Sequence, residues 1–284
     1  MTTNAEVLHG NRATATHKLW LDGTEFAKKT LLKSGEIPWM NSTETASLFG
    51  QLEGVLSADA LTLPLMEVLT TWLQANPQAL MDMSGKKRVR YAVKKLLTHP
   101  VFRHDLKELL SSIGGVVRGE IFVVLPGNSE VTRWAHTQAN PDAEFFDMTE
   151  LDVDSVSVYL ADLVREFKEC GVTAVIASVG NEDMAAGARP ELYQPIANVA
   201  EHYQWSFGCL LNTEADDAPF KDGADIVVSL GSAANVAVLG NAFWQDGVLP
   251  EPAAVIYSQV PVELAPEQIR KHIASLKQQF VAWA

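Results

Sequence analysis

The chain has 284 residues, of which 47% are hydrophobic and 20% are charged, and its formal net charge at pH 7 is −13. This composition is typical of a globular protein with enough apolar surface for a sizeable core. The acidic balance argues against a nucleic-acid-binding role, because phosphate binding requires clustered Lys and Arg. Length alone allows one large α/β barrel or two small domains.

Cysteine content and hydropathy indicate the compartment. Cys170 and Cys209 are too few for a disulfide framework, and neither belongs to a Cys-x-x-Cys pair. No N-terminal stretch combines a basic start with an apolar core, and no apolar run reaches the roughly 18 residues that a membrane span needs. We therefore expect a cytoplasmic protein that binds neither nucleic acid nor a membrane.

The first third of the chain is mainly helical by pattern. Residues 1 to about 18 are polar and without periodicity, which predicts a loose arm, and residues 18–33 carry a weak helical pattern. The run at 58–65 indicates a first short strand ending at Pro64. Residues 64–113 are helical by pattern, with breaks at prolines and a glycine.

One basic cluster stands out in this acidic chain. Lys86, Lys87, Arg88 and Arg90 precede Tyr91 and further apolar residues at helical spacing. We interpret the cluster as the solvated face of a helix. The alternative is a phosphate or partner site.

The rest of the chain alternates strand and helix patterns. Apolar runs without polar alternation are typical of strands buried on both faces, as in a parallel sheet covered by helices. Six such runs follow the first strand, at residues 119–125, 174–178, 207–211, 226–230, 235–239 and 253–257. This order predicts a parallel α/β barrel of the TIM type. We expect one structural domain, in which residues 1–115 form a helical region packed on a barrel made mainly by residues 116–284.

In such barrels the chemistry gathers where the strands end, so polar residues there are the first candidates. Asn128, Arg133 and His136 follow the strand at 119–125. Arg133 could bind a substrate carboxylate while His136 exchanges a proton. The alternative is a surface helix with incidental polar residues.

A second set follows the strand at 174–178. It contains Ser178, Asn181 and the adjacent acids Glu182 and Asp183. Either acid could act as a general acid or base if burial and its neighbour raised its pKa. The alternative is a helix N-terminus that carries acids for capping.

A third set follows the later strands. Cys209 lies inside an apolar strand, and a lone buried cysteine usually behaves as a small hydrophobic residue. It is therefore only a weak candidate for a nucleophile or a metal ligand. The remaining substrate-binding candidates stand at strand ends, where amide and hydroxyl groups orient ligands. These candidates are Asn212, Glu214, Asn241, Tyr257 and Gln259.

Several short motifs occur in an order that resembles the superfamily of uroporphyrinogen decarboxylase and cobalamin-independent methionine synthase. They are Gly171-Val172-Thr173-Ala174 before a strand, residues 208–212 followed by Gly223-Ala224-Asp225, Leu239-Gly240-Asn241, and Ala265-Pro266-Glu267. The resemblance implies an α/β barrel. It also implies an enzyme of the lyase or methyltransferase type.

The departures from the family pattern narrow this expectation. Residues 37–41 have no arginine where the decarboxylases have an Arg-rich segment, and Cys209 lacks both the His-x-Cys partner and a later cysteine. We expect a cofactor-independent lyase or decarboxylase acting on a small anionic metabolite, with no bound metal. The alternatives are a corrinoid- or zinc-linked methyltransferase and a non-catalytic barrel that binds a metabolite or a partner protein. Assembly as a homodimer is left open.

Overall fold

The computed structural model describes residues 17–33, 35–86, 88–142, 144, 147–213, 218–229 and 234–283, without the side chains of 281–283. The loose arm predicted for residues 1 to about 18 lies almost entirely outside the described residues. No helix in these ranges is long and apolar enough to span a bilayer.

Eight parallel strands form one sheet that curves into a nearly closed barrel. Around the barrel they follow chain order from β1 to β6, and β8 pairs with both β1 and β7. The strands are β1 (Lys18–Asp22), β2 (Ala60–Pro64), β3 (Glu120–Leu125), β4 (Val172–Gly180), β5 (Ser206–Asn212), β6 (Ile226–Val228), β7 (Ala237–Val238) and β8 (Val255–Gln259). The predicted parallel α/β barrel of the TIM type is confirmed, and β2 to β8 correspond to the seven predicted strands.

The gap between β6 and β7 is narrowed by the chain itself. The Asn235 backbone N–H donates to the Val227 carbonyl at 3.1 Å, and the Asn235 side-chain oxygen accepts the Val227 backbone N–H at 2.6 Å. The segment before β7 therefore satisfies the free edge of β6, which would otherwise expose unpaired backbone groups.

Helices cover the outside of the barrel. They are α1 (Thr24–Phe26, continued by a π-helical turn at Ala27–Leu31), α2 (Ser42–Leu56), α3 (Leu65–Ala75), α4 (Gln78–Met83), α5 (Arg90–Leu97), α6 (Pro100–Val116), α7 (Asn128–Ala139), α8 (Glu150–Val164), α9 (Asn181–Ala185), α10 (Gln194–His202), α11 (Asn241–Asp246) and α12 (Pro266–Trp283). Short 3-10 turns lie at Arg165–Phe167, Pro190–Tyr193 and Ala218–Phe220. The helical prediction for residues 64–113 is confirmed by α3 to α6.

The prediction was wrong at the start of the chain, because residues 18–22 form a strand rather than the first turn of a helix. In β1, Trp20 pairs with Ala60 of β2 on one side and with Tyr257 of β8 on the other. Two of the eight strands thus come from the region assigned to the N-terminal helices. Only Leu19, Trp20 and Leu21 are apolar here, and so short a run carries little strand signal.

Alternate side chains of the strands fill two separate cores. One set packs inside the barrel, with Trp20, Phe122 and Tyr257 as its large members. The rings of this cluster are tilted against one another, and their centroids lie 5.2 Å apart for Trp20 and Phe122 and 4.4 Å apart for Trp20 and Tyr257. The other set packs against the helices. This two-sided burial explains why the strands lack polar alternation.

The end of the barrel formed by the strand N-termini is closed by a polar cluster. The Lys18 ammonium contacts both oxygens of Glu120 at 2.6 and 2.7 Å, and the Thr173 hydroxyl donates to the same carboxylate at 3.0 Å. At the opposite end the strand C-termini surround an open cavity.

Candidate functional site

A cavity of about 810 Å³ opens at the carboxyl ends of β1, β5, β6, β7 and β8. We call it the mouth cavity. Its apolar wall includes Leu210, Val228 and Val238, which belong to or adjoin the barrel core. Its polar lining residues are Asp22, Glu25, Asn181, Asn212, Thr213, Ser229, Asn241, Trp244, Tyr257 and Gln259. In size and in its mixture of apolar wall and polar groups it suits a small molecule.

Asp22 supplies the more buried of the two carboxyl groups in this lining, the other being that of Glu25. It is the last residue of β1, pairs in register with Gln259 of β8, and has the same parity as the barrel-filling Trp20. Its Oδ1 accepts the Thr24 N–H at 3.1 Å. Burial raises the pKa of Asp22 above its ordinary value, and the Thr24 hydrogen bonds only partly oppose this effect. Asp22 therefore holds a proton more readily than a solvated aspartate does.

Tyr257 is buried in the same lining, two residues before the β8 partner of Asp22. Burial raises the pKa of its phenol, the negative charge of Asp22 acts in the same direction, and a hydrogen bond with Gln259 opposes them. The phenol stays protonated at neutral pH. It is thus a fixed O–H donor at the base of the mouth cavity, since the ring is held against Trp20.

Carboxamides and hydroxyls form the rest of the polar lining. The Thr213 hydroxyl donates to the Asn181 side-chain oxygen at 2.7 Å, so the loops after β4 and β5 are linked. The Trp244 indole donates to the buried Ser258 hydroxyl at 2.9 Å, which ties α11 to β8. These bonds hold the wall, while exposed Asn212 and Asn241 remain at its surface.

The part of the mouth formed by β3 and β4 has a different construction. Asp183 is only 2% exposed, and its two oxygens accept the Ser129 N–H at 2.7 Å and the Gly180 N–H at 3.0 Å. Burial raises its pKa, and the two backbone hydrogen bonds oppose that rise. A Cβ at Gly127 would lie 2.7 Å from the same carboxylate. Asp183 therefore joins the starts of α7 and α9, and does not line the mouth cavity.

Asn128 and His136 are buried in the helical layer. The Asn128 amide donates to the Val153 carbonyl and to the Ser157 hydroxyl, both at 2.8 Å, which joins α7 to α8. His136 is 1% exposed on α7. Neither belongs to the described lining of the mouth cavity.

Arg133 and Glu182 form an ion pair on the outside. The Arg133 Nε lies 2.9 Å from Glu182 Oε2, and the side chains are 42% and 53% exposed. The adjacent acids Glu182 and Asp183 thus have separate surroundings, one at the surface and one buried. Arg133 is engaged by Glu182 away from the mouth cavity, so this geometry does not place it against a substrate there.

Cys209 points away from the mouth cavity. It packs with the sheet–helix core, whereas its neighbour Leu210 packs with the barrel interior. Burial raises the pKa of its thiol to about 12, so the thiolate needed for metal binding is disfavoured. Within the described ranges, no three His, Cys, Asp or Glu side chains lie together as metal ligands would.

The predicted residues divide between these two parts of the mouth. Asn181, Asn212, Asn241, Tyr257 and Gln259 line the mouth cavity together. Ser178 has the barrel-facing parity of Ile176 and is half-buried, but it is not part of the described lining. Glu214 lies outside the described residues. The functional roles assigned to these residues stay predictions.

Of the polar residues that line the mouth cavity, sequence reasoning missed Asp22, Glu25 and Trp244. The signal for Asp22 was present, because an apolar run ending in a polar residue before Gly23 repeats the pattern of the other strand ends. Assigning residues 18–22 to a helix concealed it.

The fold and the cavity together define a parallel α/β barrel with an open mouth at the carboxyl ends of its strands. Comparisons of the chain with protein-family models, with curated proteins and with solved structures found no match.

Proposed function

We propose that the chain is a barrel enzyme of the lyase type that decarboxylates a small molecule in the mouth cavity, with Asp22 as the proton donor. The resemblance to the uroporphyrinogen decarboxylase superfamily supports the reaction class. The observation that carries the proposal is the carboxyl group of Asp22, which stands at a strand end inside the cavity with its pKa raised by burial.

In the proposed reaction, the carboxylate to be lost lies against the apolar wall of Leu210, Val228 and Val238. Breaking the carbon–carbon bond releases CO₂ and leaves the electron pair on the substrate carbon. Asp22 transfers its proton to that carbon and is reprotonated from solvent. Loss of CO₂ moves the negative charge away from an apolar wall that offers it no counter-ion and onto the carbon that Asp22 protonates, which favours the forward direction.

Tyr257 assists as a hydrogen-bond donor in this proposal. Its phenol lines the same cavity as Asp22 and keeps its proton, so it can stabilise negative charge that develops on a substrate oxygen. The carboxamides of Asn212, Asn241 and Gln259 would then orient the polar groups of the substrate.

The charge of the lining narrows the substrate class. None of the described residues that line the mouth cavity is a lysine or arginine, and Asp22 and Glu25 are acidic. The nearby Lys28 is bound by Glu25 at 2.8 Å and by Glu67 at 2.9 Å. A compound with several anionic groups would find no cationic partner in this lining. The expected small anionic metabolite is therefore narrowed to a monocarboxylate whose other groups are neutral or positively charged.

The zinc-linked form of the methyltransferase alternative receives no support from the site geometry. Cys209, the one thiol of the family's zinc motif that this chain keeps, faces the helices with its pKa raised. The non-catalytic alternative predicts ligand binding without turnover, and the same experiment separates it from the proposal.

The test is incubation of the protein with a panel of small monocarboxylates in D₂O. A substrate would release CO₂ and gain deuterium at the carbon that lost it, as measured by mass spectrometry and NMR. Asp22→Asn keeps the shape and the hydrogen bond from Thr24 but cannot donate the proton. We expect it to lower the rate by about 10²–10⁴-fold, the usual range for a general acid.

Glu25→Gln is the matched control, since it removes one carboxylate from the rim of the same cavity and should keep most of the activity. Absence of CO₂ release and deuterium incorporation across a panel whose members bind would favour the non-catalytic alternative. Full activity of Asp22→Asn would reject Asp22 as the donor.

A further inference from the structure

A second cavity lies on the outer face of the helices, and the charge of its lining differs from that of the mouth cavity. It has a volume of about 330 Å³ and is formed by α5, the residues just before it, and α8. We call it the basic cleft. Its lining is Arg88, Arg90, Tyr91, Lys94, Lys95, Thr98 and Tyr159, and it shares no described residue with the mouth cavity.

The electrostatic character of the basic cleft is opposite to that of the whole molecule. Four positively charged side chains and no acid line it in the described structure, although the chain has a net charge of −13. Arg90 is partly neutralised, because its Nε lies 2.9 Å from Asp152 Oδ1. No ion pair of Arg88, Lys94 or Lys95 occurs among the described residues, which leaves three exposed cations around one concavity.

The side chains of the basic cleft are also held in place. Arg90 is half-buried and donates to the Ser155 hydroxyl as well as contacting Asp152. The Lys94 ammonium lies 5.5 Å from the ring centroid of Tyr159, and that of Lys95 lies 5.8 Å from the centroid of Tyr91. Such cation–π contacts restrict otherwise mobile lysines. The cations therefore surround a cavity, which distinguishes them from charges spread over a solvated helix face.

We propose that the basic cleft binds a small molecule through a phosphate or diphosphate group. Guanidinium and ammonium groups donate only, and phosphate offers several acceptor oxygens with a charge of about −1.5 to −2. The volume of the cleft suits a small ligand and is too small for a folded partner surface. The half-buried rings of Tyr91 and Tyr159 give the organic part of the ligand an apolar surface. This inference is independent of the proposed decarboxylation.

Isothermal titration calorimetry with pyrophosphate, at low and at moderate salt, tests the proposal. The wild-type chain should bind one pyrophosphate saturably, and the affinity should fall as salt rises. The double variant Arg88→Gln/Lys94→Gln should bind at least about tenfold more weakly, since it removes two of the cations that make charge-assisted hydrogen bonds to the pyrophosphate oxygens. Both residues are exposed, so the variant should keep the wild-type circular dichroism spectrum.

The matched control is Arg270→Gln/Lys271→Gln, which removes the same two charges from α12. It should bind pyrophosphate like the wild-type chain. Equal weakening by both double variants would show non-specific attraction and overturn the proposal. So would absence of saturable binding, or binding of citrate or of a Glu-rich peptide that is tighter than binding of pyrophosphate.

Discussion

The same residue types have different roles on the two sides of the barrel mouth. On the β3–β4 side, the side chains of Asp183 and Asn128 point into the protein and form hydrogen bonds with backbone and side-chain groups there. On the opposite side, Asp22, Asn212 and Asn241 face a cavity of about 810 Å³. We call these the sealed side and the open side.

The difference shows that a polar residue at a strand end is not a site residue by position alone. A carboxylate placed within reach of orphan N–H groups at a helix start satisfies them and becomes part of the framework. The same group with one such bond, as in Asp22, keeps capacity for a ligand. Stability and ligand chemistry should therefore respond separately on the two sides.

The largest expected effect is the loss of Asp183 on the sealed side. Asp183→Ala removes the acceptor of one buried and one partly buried N–H group, and we expect the free energy of unfolding to fall by about 2–3 kcal/mol. Urea denaturation measures it. Glu182→Ala is the matched control, because an exposed ion pair contributes only about 0–1 kcal/mol. If the two variants were equally stable, the sealed side would not be a structural unit.

A smaller loss is expected for Asn128. Asn128→Ala removes two buried hydrogen bonds between α7 and α8 and should lower the free energy of unfolding by about 1–2 kcal/mol. Asn241→Ala, at an exposed position on the open side, should change it by less than about 0.5 kcal/mol. Urea denaturation measures both variants. An equal loss of unfolding free energy in the two would contradict the distinction between the sealed side and the open side.

Asp22 on the open side should give an effect of the opposite sign. Its folded-state pKa is raised, so the folded chain binds the proton more tightly than the unfolded chain, and wild-type stability falls as pH rises from the unfolded value through the folded one. Asp22→Asn has no charge to bury and should be more stable than the wild-type chain at pH 7. The gain should shrink toward pH 4. Thermal melts across this range measure it, and a gain that grows on acidification would contradict the raised pKa.

The smallest effect is expected for Arg133. Arg133→Lys keeps the charge beside Glu182, so stability should change by less than about 0.5 kcal/mol. Decarboxylation kinetics should also be unchanged, since Arg133 lies outside the mouth cavity. A rise in KM of tenfold or more would restore Arg133 to the site.

The barrel itself could be predicted because buried parallel strands leave a strong compositional mark. The runs at β3 and β4 are long and apolar, and Gly171, with φ of +81°, forms the turn directly before β4. β1 was not predicted because its three apolar residues are flanked by the polar residues Lys18 and Asp22. These two residues are polar because they lie at the two ends of the barrel, and a pattern along the sequence does not show that position.

The site could be predicted only in part, for a related physical reason. Sequence places Asn128 and Asn241 alike at the starts of helices after strands, but it does not give the direction of each side chain. The buried partners of Asn128 lie in α8, 25 and 29 residues away. The basic cleft was likewise visible as charge at residues 86–90, while Tyr159, which completes it, comes from another helix.

The pairing of β1 with β8 has a consequence for the way this chain is made. Lys18 lies beside Val255, so the contact spans more than 230 residues of sequence. During synthesis β1 can pair with β2 early, but its other edge waits until residue 259 has left the ribosome. An unpaired strand edge is a template for association with other chains. Contacts of such high sequence separation also slow folding. The nascent protein should therefore be most prone to aggregation just before its last strand emerges.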